Sequence, residues 1–286
     1  MTAPGPKTPD ITVVVPTRDR PDSLRACMSA LGAQPDVRAE IVVVDDASMD
    51  PEVVAAAVAT APNSRVIRGE GRGPAAARNL GARHAATPIV CFTDDDCRPV
   101  PGWLSALRER IDSGADAVAG PMRNGRTNDP FATAAQTVTN HLTEWSHDPS
   151  AGTVRFAPTS NLAVRADVLA ELPFDESFPL AAGEDRDWCD RLAASGRTLA
   201  FEPTAVVDHH PDLGWRGFWR QQVRYGRGSQ HLRSTGAGPG MQPPRFYLDL
   251  VREGFAHGPA AGALVLVAQV ATAVGIAREL ATTTPD

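Results

Sequence analysis

Between residues 11 and 120 the hydrophobic pattern keeps changing period, and that exchange leaves few folds open. Short apolar runs at 11–15, 41–44, 65–68, 89–92 and 115–119 alternate with helical patterns at 21–32, 51–60, from 74 onward and at 101–113. Strand-length runs separated by helix-length segments build a mainly parallel sheet with helices packed across it. In the first helical segment Leu24, Cys27, Met28 and Leu31 recur at i, i+3, i+4 and i+7, which lines one face for burial. Pro21, Pro51, Pro74 and Pro101 suit first-turn positions, where a helix loses no backbone donor. Ligands of open α/β sheets gather at the carboxyl ends of the strands. Four polar clusters fall there: Pro16-Thr17-Arg18, Asp45-Asp46, the glycine-rich 69–73, and Asp94-Asp95-Asp96.

Three adjacent carboxylates repel one another, so they persist where a divalent ion or a row of donors neutralises them, or where they form a solvated acidic turn. Asp94 and Asp96 make an Asp-x-Asp element whose oxygen ligands suit Mg2+ or Mn2+. His209-His210, at a distant strand end, supplies a further candidate ligand pair. Asp46 is placed to accept a base N–H or a ribose hydroxyl, with capping of the helix entered at Pro51 as the alternative for either Asp45 or Asp46. The turn after the first strand lacks the glycine fingerprint of a dinucleotide site, which disfavours nicotinamide and flavin chemistry. The 69–73 loop leads into a helix carrying Arg78 and Asn79, where a helix N-terminus and an arginine favour phosphate. Glu184-Asp185 opens another helix. Such acids either complement the helix dipole, worth roughly 0.3–1 kcal/mol, or hold a carboxylate base near a hydroxyl.

Past residue 120 the alternation gives way to a helix at 131–146, an extended stretch around 156–164, a helix from 184 stopping at Gly196, strands at 198–201 and 205–207, and a basic, aromatic helix at 215–233. The expected organisation is a loose tail over 1–10, one α/β domain over 11–212, with a nucleotide-binding part 11–120 and an acceptor-side part 121–212, and a helical extension over 213–286. The net charge of −6 disfavours general nucleic-acid binding despite the basic segment at 216–233. Cys27, Cys91, Cys97 and Cys189 show no close pairing and are read as reduced, and the first ten residues lack the apolar core of a secretory signal, so a cytoplasmic protein is expected. Residues 259–277 carry no charge but are rich in alanine and include Gln269 and Thr272. They are read as a buried or interfacial helix, with peripheral contact at the inner face of a membrane or self-association as its uses.

Taken in order, ITVVVPTRDRPDSL, IVVVDDAS, GPAAARNLGARHA, IVCFTDDDCRPVPGWL, SNLAVRADVL, FDESFPLAAGEDRDWCDRL and VVDHH resemble the family 2 inverting glycosyltransferases with the GT-A fold. The resemblance implies an α/β/α sandwich that moves a sugar from a nucleoside-diphosphate sugar to an acceptor hydroxyl with inversion. The donor is expected to be a UDP-sugar, with thymine or guanine as the other bases. Pro16, Thr17, Arg18, Asp46, Arg78, Asp94 and Asp95 would meet the nucleotide, and Asp94, Asp95 and Asp96 with His209 and His210 the cation. Ser160 and Asn161 would face the donor sugar, and Asp185, supported by Glu184, would be the base. The segment 221–225 has the spacing of the QxxRW element of processive synthases, but Tyr225 replaces the tryptophan. A single-transfer enzyme is therefore expected, with Trp215, Trp219, Arg224 and Tyr225 on the acceptor side or packed within their helix. Two other readings are an inert nucleotide-sugar-binding or membrane-docked partner protein, and a haloacid-dehalogenase-like phosphatase, for which Arg98 is the wrong residue.

Overall fold

Strand and helix alternate from the first described residues onward in a computed structural model that describes residues 9–35, 37–178, 182–234 and 241–283. Residues 1–8 of the expected tail lie outside the described residues. The first part runs β1 (Ile11–Thr17), α1 (Pro21–Gly32), β2 (Ala39–Asp45), α2 (Pro51–Val58), β3 (Ser64–Arg68), α3 (Pro74–Arg83), β4 (Ile89–Phe92), β5 (Cys97–Pro99), α4 (Trp103–Asp112) and β6 (Ala117–Ala119). The second runs β7 (Met122–Asn124), α5 (Pro130–Trp145), β8 (His147–Asp148), β9 (Thr153–Val154), a 3-10 turn at Thr159–Asn161, β10 (Leu162–Arg165), α6 (Ala166–Glu171), α7 (Glu184–Ala194), β11 (Leu199–Phe201) and β12 (Val207–His209). Three helices close the chain: α8 (Trp215–Ser234), α9 (Pro244–Ala256) and α10 (Pro259–Thr283).

The main sheet has the order β3-β2-β1-β4-β10-β6-β11-β9-β8, and a smaller one the order β5-β12-β7. Strands β3, β2, β1 and β4 are parallel to one another, whereas β10 runs antiparallel to both β4 and β6. Valines on β1 and β2 are buried on both faces of the sheet, as expected when helices cover each side. One layer packs Leu24, Cys27 and Met28 of α1 with Val54 of α2 and Leu107 of α4; the other packs Phe92, Phe174 and Trp188.

The expected helices recur with small shifts that have local causes. Pro21, Pro51 and Pro74 do occupy first-turn positions, but Pro101 does not, because Gly102 adopts φ +89° and the helix begins at Trp103. The stretch expected to be extended around 156–164 instead coils through the 3-10 turn before β10. The strand expected at 205–207 sits later, at Val207–His209, where it pairs with both β5 and β7. All four cysteines are free and buried.

The closing helices share a core of their own with α5, in which Phe218, Phe246, Leu250, Leu264 and Val265 meet. Backbone contact between α8 and α10 is close because both offer glycine: a Cβ at Gly226 would sit 2.0 Å from Thr272 O, and one at Gly275 would sit 2.1 Å from Val223 O. Pro259–Thr282 of α10 is long and apolar enough to cross a bilayer by length and composition, yet 33% of its most apolar stretch is buried against the rest of the chain.

Candidate active site

Register brings the strand-end clusters together. β1 lies between β2 and β4, with Thr17 opposite Asp45 and Val14 opposite Phe92, so the turn after β1 faces the triplet after β4. Thr17 Oγ1 donates to Asp95 Oδ2 at 2.7 Å. Arg20, which the sequence pattern did not single out, donates from Nε to the same oxygen at 3.2 Å and from Nη1 to Asp96 Oδ2 at 2.9 Å, and it pairs with Asp95 Oδ1 as well. Asp95 is fully buried, and burial pushes its carboxyl up to about 7 against the pull of Arg20. It is committed to the protein's own donors. Asp96 is held well below the usual carboxylate range: burial opposes this, but the hydrogen bond and charge of His209 and the charge of Arg20 prevail.

His209 closes this end of the cleft. Its Nδ1 lies 2.8 Å from Gln136 Oε1, and Gln136 Nε2 in turn donates to Asn140 Oδ1 at 2.7 Å, which fixes the amide so that Nδ1 is the donor. A neutral ring then aims the Nε2 lone pair at Asp96 Oδ1, 3.5 Å away. Two facing acceptors require a proton or a cation between them. Burial lowers the imidazole pKa, but the hydrogen bond and charge of Asp96 outweigh this and raise it. Ligand atoms of Asp96, Cys97 and His209 lie within 4.8 Å of one another. Burial drives the Cys97 thiol far up, so a carboxylate and an imidazole are the effective donors, a set that fits Mn2+ or Mg2+. Asp94 stands nearby at the rim, with 31% of its side chain exposed. His210 does not join them. It lies just past the end of β12, and its ring packs over Gly125, a Cβ on which would lie 2.3 Å from Nε2.

The second acidic group meets the first through one buried guanidinium. Arg78 on α3, 4% exposed, donates from Nη2 to Asp94 Oδ1 at 2.9 Å and from Nη1 to Glu184 Oε1 at 3.1 Å. It is buried away from solvent, and the groups it joins stand 90 positions apart in the chain (184 − 94). Asp185 faces the same cleft. Burial, and then the like charge of Glu184, push its carboxyl up to about 7, and its Oδ1 accepts from Arg186 N at 2.8 Å. The turn into α7 is set by Gly183, at φ +97°, and by Gly228 of α8, whose absent side chain would otherwise lie 2.2 Å from Ala182 O.

The glycine-rich loop has its own anchor. Asp46 Oδ1 accepts from Gly71 N at 2.9 Å and Arg72 N at 3.1 Å, and Oδ2 from Gly73 N at 2.8 Å. Asp46 thus shapes the loop as well as lining the cleft, where Oδ2 keeps an acceptor position. Neither Asp45 nor Asp46 caps α2: Asp50 does, while Asp45 accepts from Ser48 N at 2.9 Å and pairs with Arg68.

Pro16, Thr17, Arg18, Ser160, Arg224 and Tyr225 also line the cleft, a cavity of about 910 Å3. Three other expectations fail. Asn161 is fully buried behind the cleft, where its amide accepts from Trp103 Nε1 at 2.8 Å and donates to Pro121 O and Ala205 O, so no polar atom is left for a sugar. Trp215 and Trp219 share a different, shallow surface with Arg216 and Arg220 in the first turns of α8, whereas that helix lines the cleft only from Gln221 onward.

A parallel-sheet core with an acidic triplet at one strand end, a helix-opening acidic pair across the cleft and a sheet reversal at β10 is the GT-A type of glycosyltransferase architecture. The chain belongs to glycosyl transferase family 2, whose model matches residues 12–171. It is 30% identical over 227 residues to the glycosyltransferase AglE of Haloferax volcanii, spanning 77% of this chain and 73% of that one. It is 28% identical over 228 residues to the pre-mycofactocin glycosyltransferase of Mycobacterium tuberculosis, spanning 78% of this chain but only 47% of that relative, about half its length. The mannosyltransferase PcManGT of Pyrobaculum calidifontis, solved with GDP-Man and Mn2+, superposes with a TM-score of 0.61 at 23% identity over 96% of this chain and 79% of its own, a likeness of fold.

Proposed function

We propose that this protein is an inverting, cation-dependent glycosyltransferase that moves a hexosyl or N-acetylhexosaminyl group from a nucleoside-diphosphate sugar to an acceptor hydroxyl in a single, non-processive displacement. The observation that carries the reading is Arg78, which ties Asp94 of the triplet to Glu184 beside Asp185 and so gathers a cation-type site and a carboxylate base into one cleft. Asp96 and His209 would hold a divalent cation, which when bound neutralises charge on the departing diphosphate.

Asp185 is the base. A carboxyl raised to about 7 is matched to accepting a proton near neutrality, and Arg78 keeps the adjacent Glu184 paired so that Asp185 is the carboxylate presented to the acceptor. The acceptor oxygen attacks the anomeric carbon as its proton passes to Asp185, the bond to the diphosphate breaks on the opposite side, and configuration inverts. Pro16, Thr17 and Asp46 flank the nucleoside, and Ser160 flanks the donor sugar. Uridine is the nucleoside expected from the sequence resemblance, while the Pyrobaculum mannosyltransferase was solved with GDP-Man.

A thermal-shift panel of UDP, dTDP and GDP, each with and without Mn2+, tests the donor side, because a ligand bound only by the native state raises Tm according to its affinity. One nucleotide should raise Tm in a Mn2+-dependent way. No shift with any of the three sinks the reading.

A further inference from the structure

The cleft does not end at Asp185. The same cavity runs on beneath the closing helices, where it is lined by Val138 and Leu142 of α5, Phe246 and Leu250 of α9, and Ile276 of α10. Protein interiors close such space when they can, and pockets for small molecules typically span about 300–1,000 Å3, so a cavity of about 910 Å3 stands near the upper end of that range. Thr139, Gln269 and Thr272 interrupt this lining, but a sugar nucleotide and a polar acceptor have little use for its leucine, isoleucine and phenylalanine.

Helix α10 carries the apolar surface outward. At 100° per residue, Gln269, Thr272 and Ile276, which line the cleft, fall within about 60° of one another, and Leu280, Leu266 and Val270 fill the next sector of about 80°. Those three are 50%, 46% and 58% exposed. The sector also holds Ala273 and Ala277, both exposed, and there is no charged residue from Pro259 to Ala277. An apolar chain leaving the cleft over Ile276 therefore passes directly onto an apolar outer face.

We propose that the acceptor is a membrane lipid: its hydroxyl-bearing head reaches Asp185, its hydrocarbon chain lies in the apolar arm between α5, α9 and α10, and the outer stripe of α10 rests on the bilayer from which it is drawn. The proposal rests on the glycosyltransferase reading and adds the class of its acceptor. The arm is continuous with the cleft that Asp185 lines, so one molecule can fill it and present its hydroxyl there.

Two measurements test it. First, methyl, hexyl and decyl β-glucosides, each below its micellar concentration, are titrated calorimetrically into the protein loaded with Mn2+ and the nucleoside diphosphate that stabilises it. Affinity should climb with chain length, by more than about tenfold for each two methylenes fully buried. Ile276→Trp and, separately, Leu250→Trp should flatten the series without moving the nucleotide-induced Tm shift. A wild-type affinity independent of chain length, or an unchanged series in both variants, overturns the apolar arm. Secondly, the protein should float with phosphatidylcholine vesicles containing phosphatidylglycerol, and the surface variant Leu266→Glu/Val270→Glu should lose at least about tenfold of that partition. Wild type that stays with the soluble fraction, or a double variant that floats equally well, overturns the membrane source. Wild type that shows chain-length dependence but no Mn2+-dependent nucleotide binding defeats the transfer reading itself, a distinct outcome.

Discussion

Replacing Asp185 by asparagine should make the protein more stable and less active at once. The folded-state carboxyl stands at about 7, against an ordinary value of 3.8, a rise of roughly three units. At about 1.4 kcal/mol per unit this gives an upper bound near 4 kcal/mol. Asp185 opens onto a solvent-accessible cleft and shares the effect with Glu184, so the realised figure should be about 1–2 kcal/mol. The sign follows from linkage. A carboxyl with a raised folded-state pKa favours the fold most in its protonated form, below the unfolded value, and that contribution is lost as pH rises through about 7. Asparagine mimics the neutral form at every pH. Asp185→Asn should therefore melt about 2–8 °C above wild type at pH 8, given about 2–4 °C per kcal/mol for a chain of this order, and near wild type at pH 4. Scanning fluorimetry across that range measures it. Transfer, followed as nucleoside diphosphate released in the presence of acceptor, should fall by about a hundredfold or more, and the wild-type rate should rise with pH through a limb near 7. A variant that melts lower than wild type at pH 8, or that gains as much at pH 4, would refute the reasoning.

Arg78→Met removes the shared counter-ion of Asp94 and buried Glu184 and should cost about 3–5 kcal/mol, read as a denaturant midpoint that recovers toward wild type in acid as the carboxylates protonate. His209→Ala takes one of the two effective donors from the cation site and should weaken Mn2+ binding by at least about tenfold, measured by electron paramagnetic resonance titration of free Mn2+; unchanged affinity would move the ion elsewhere. Gly226→Val drives a side chain against Thr272 O, which a Cβ at that position would approach to 2.0 Å. It should cost about 1–3 kcal/mol and raise cleavage after Arg278 of α10, which limited trypsin digestion would reveal.

How much of this was legible in the chain varies with the kind of interaction. The alternation of periods marked out the strands of the first half because the runs of β1, β2, β4 and β6 are buried on both faces, with β3 half exposed, and the triplet and the Glu-Asp pair were visible as unusual charge at element ends. Arg20 was not, since its partners lie 75 and 76 residues away and only the register of β1 beside β4 brings them together. His209 and His210 look equivalent as letters, but β12 ends at His209, which lines the cleft, while the ring of His210 packs over Gly125. Asn161 sits in a motif that suggests contact with sugar, yet its amide is needed to satisfy two buried carbonyls and the indole of Trp103. The tryptophans of α8 were placed by composition, but they sit in its first turns, and only the length of that helix from Gln221 onward, Arg224 and Tyr225 included, reaches the cleft. The apolar arm has no local signature at all, being made where three separate helices fail to close on one another.

Gly226 and Gly228 limit how this chain could be re-engineered. One glycine lets α10 touch α8, and the other, two residues on, lets the turn before Glu184 touch the same helix. Whatever tilts the closing helices must therefore tilt the turn that carries Glu184 and Asp185 with them. Grafting the terminal helices of a relative to change what is glycosylated would transplant half of a hinge, and a working chimera should have its junction upstream of Ala182, so that the turn and its supporting helix travel as one cassette.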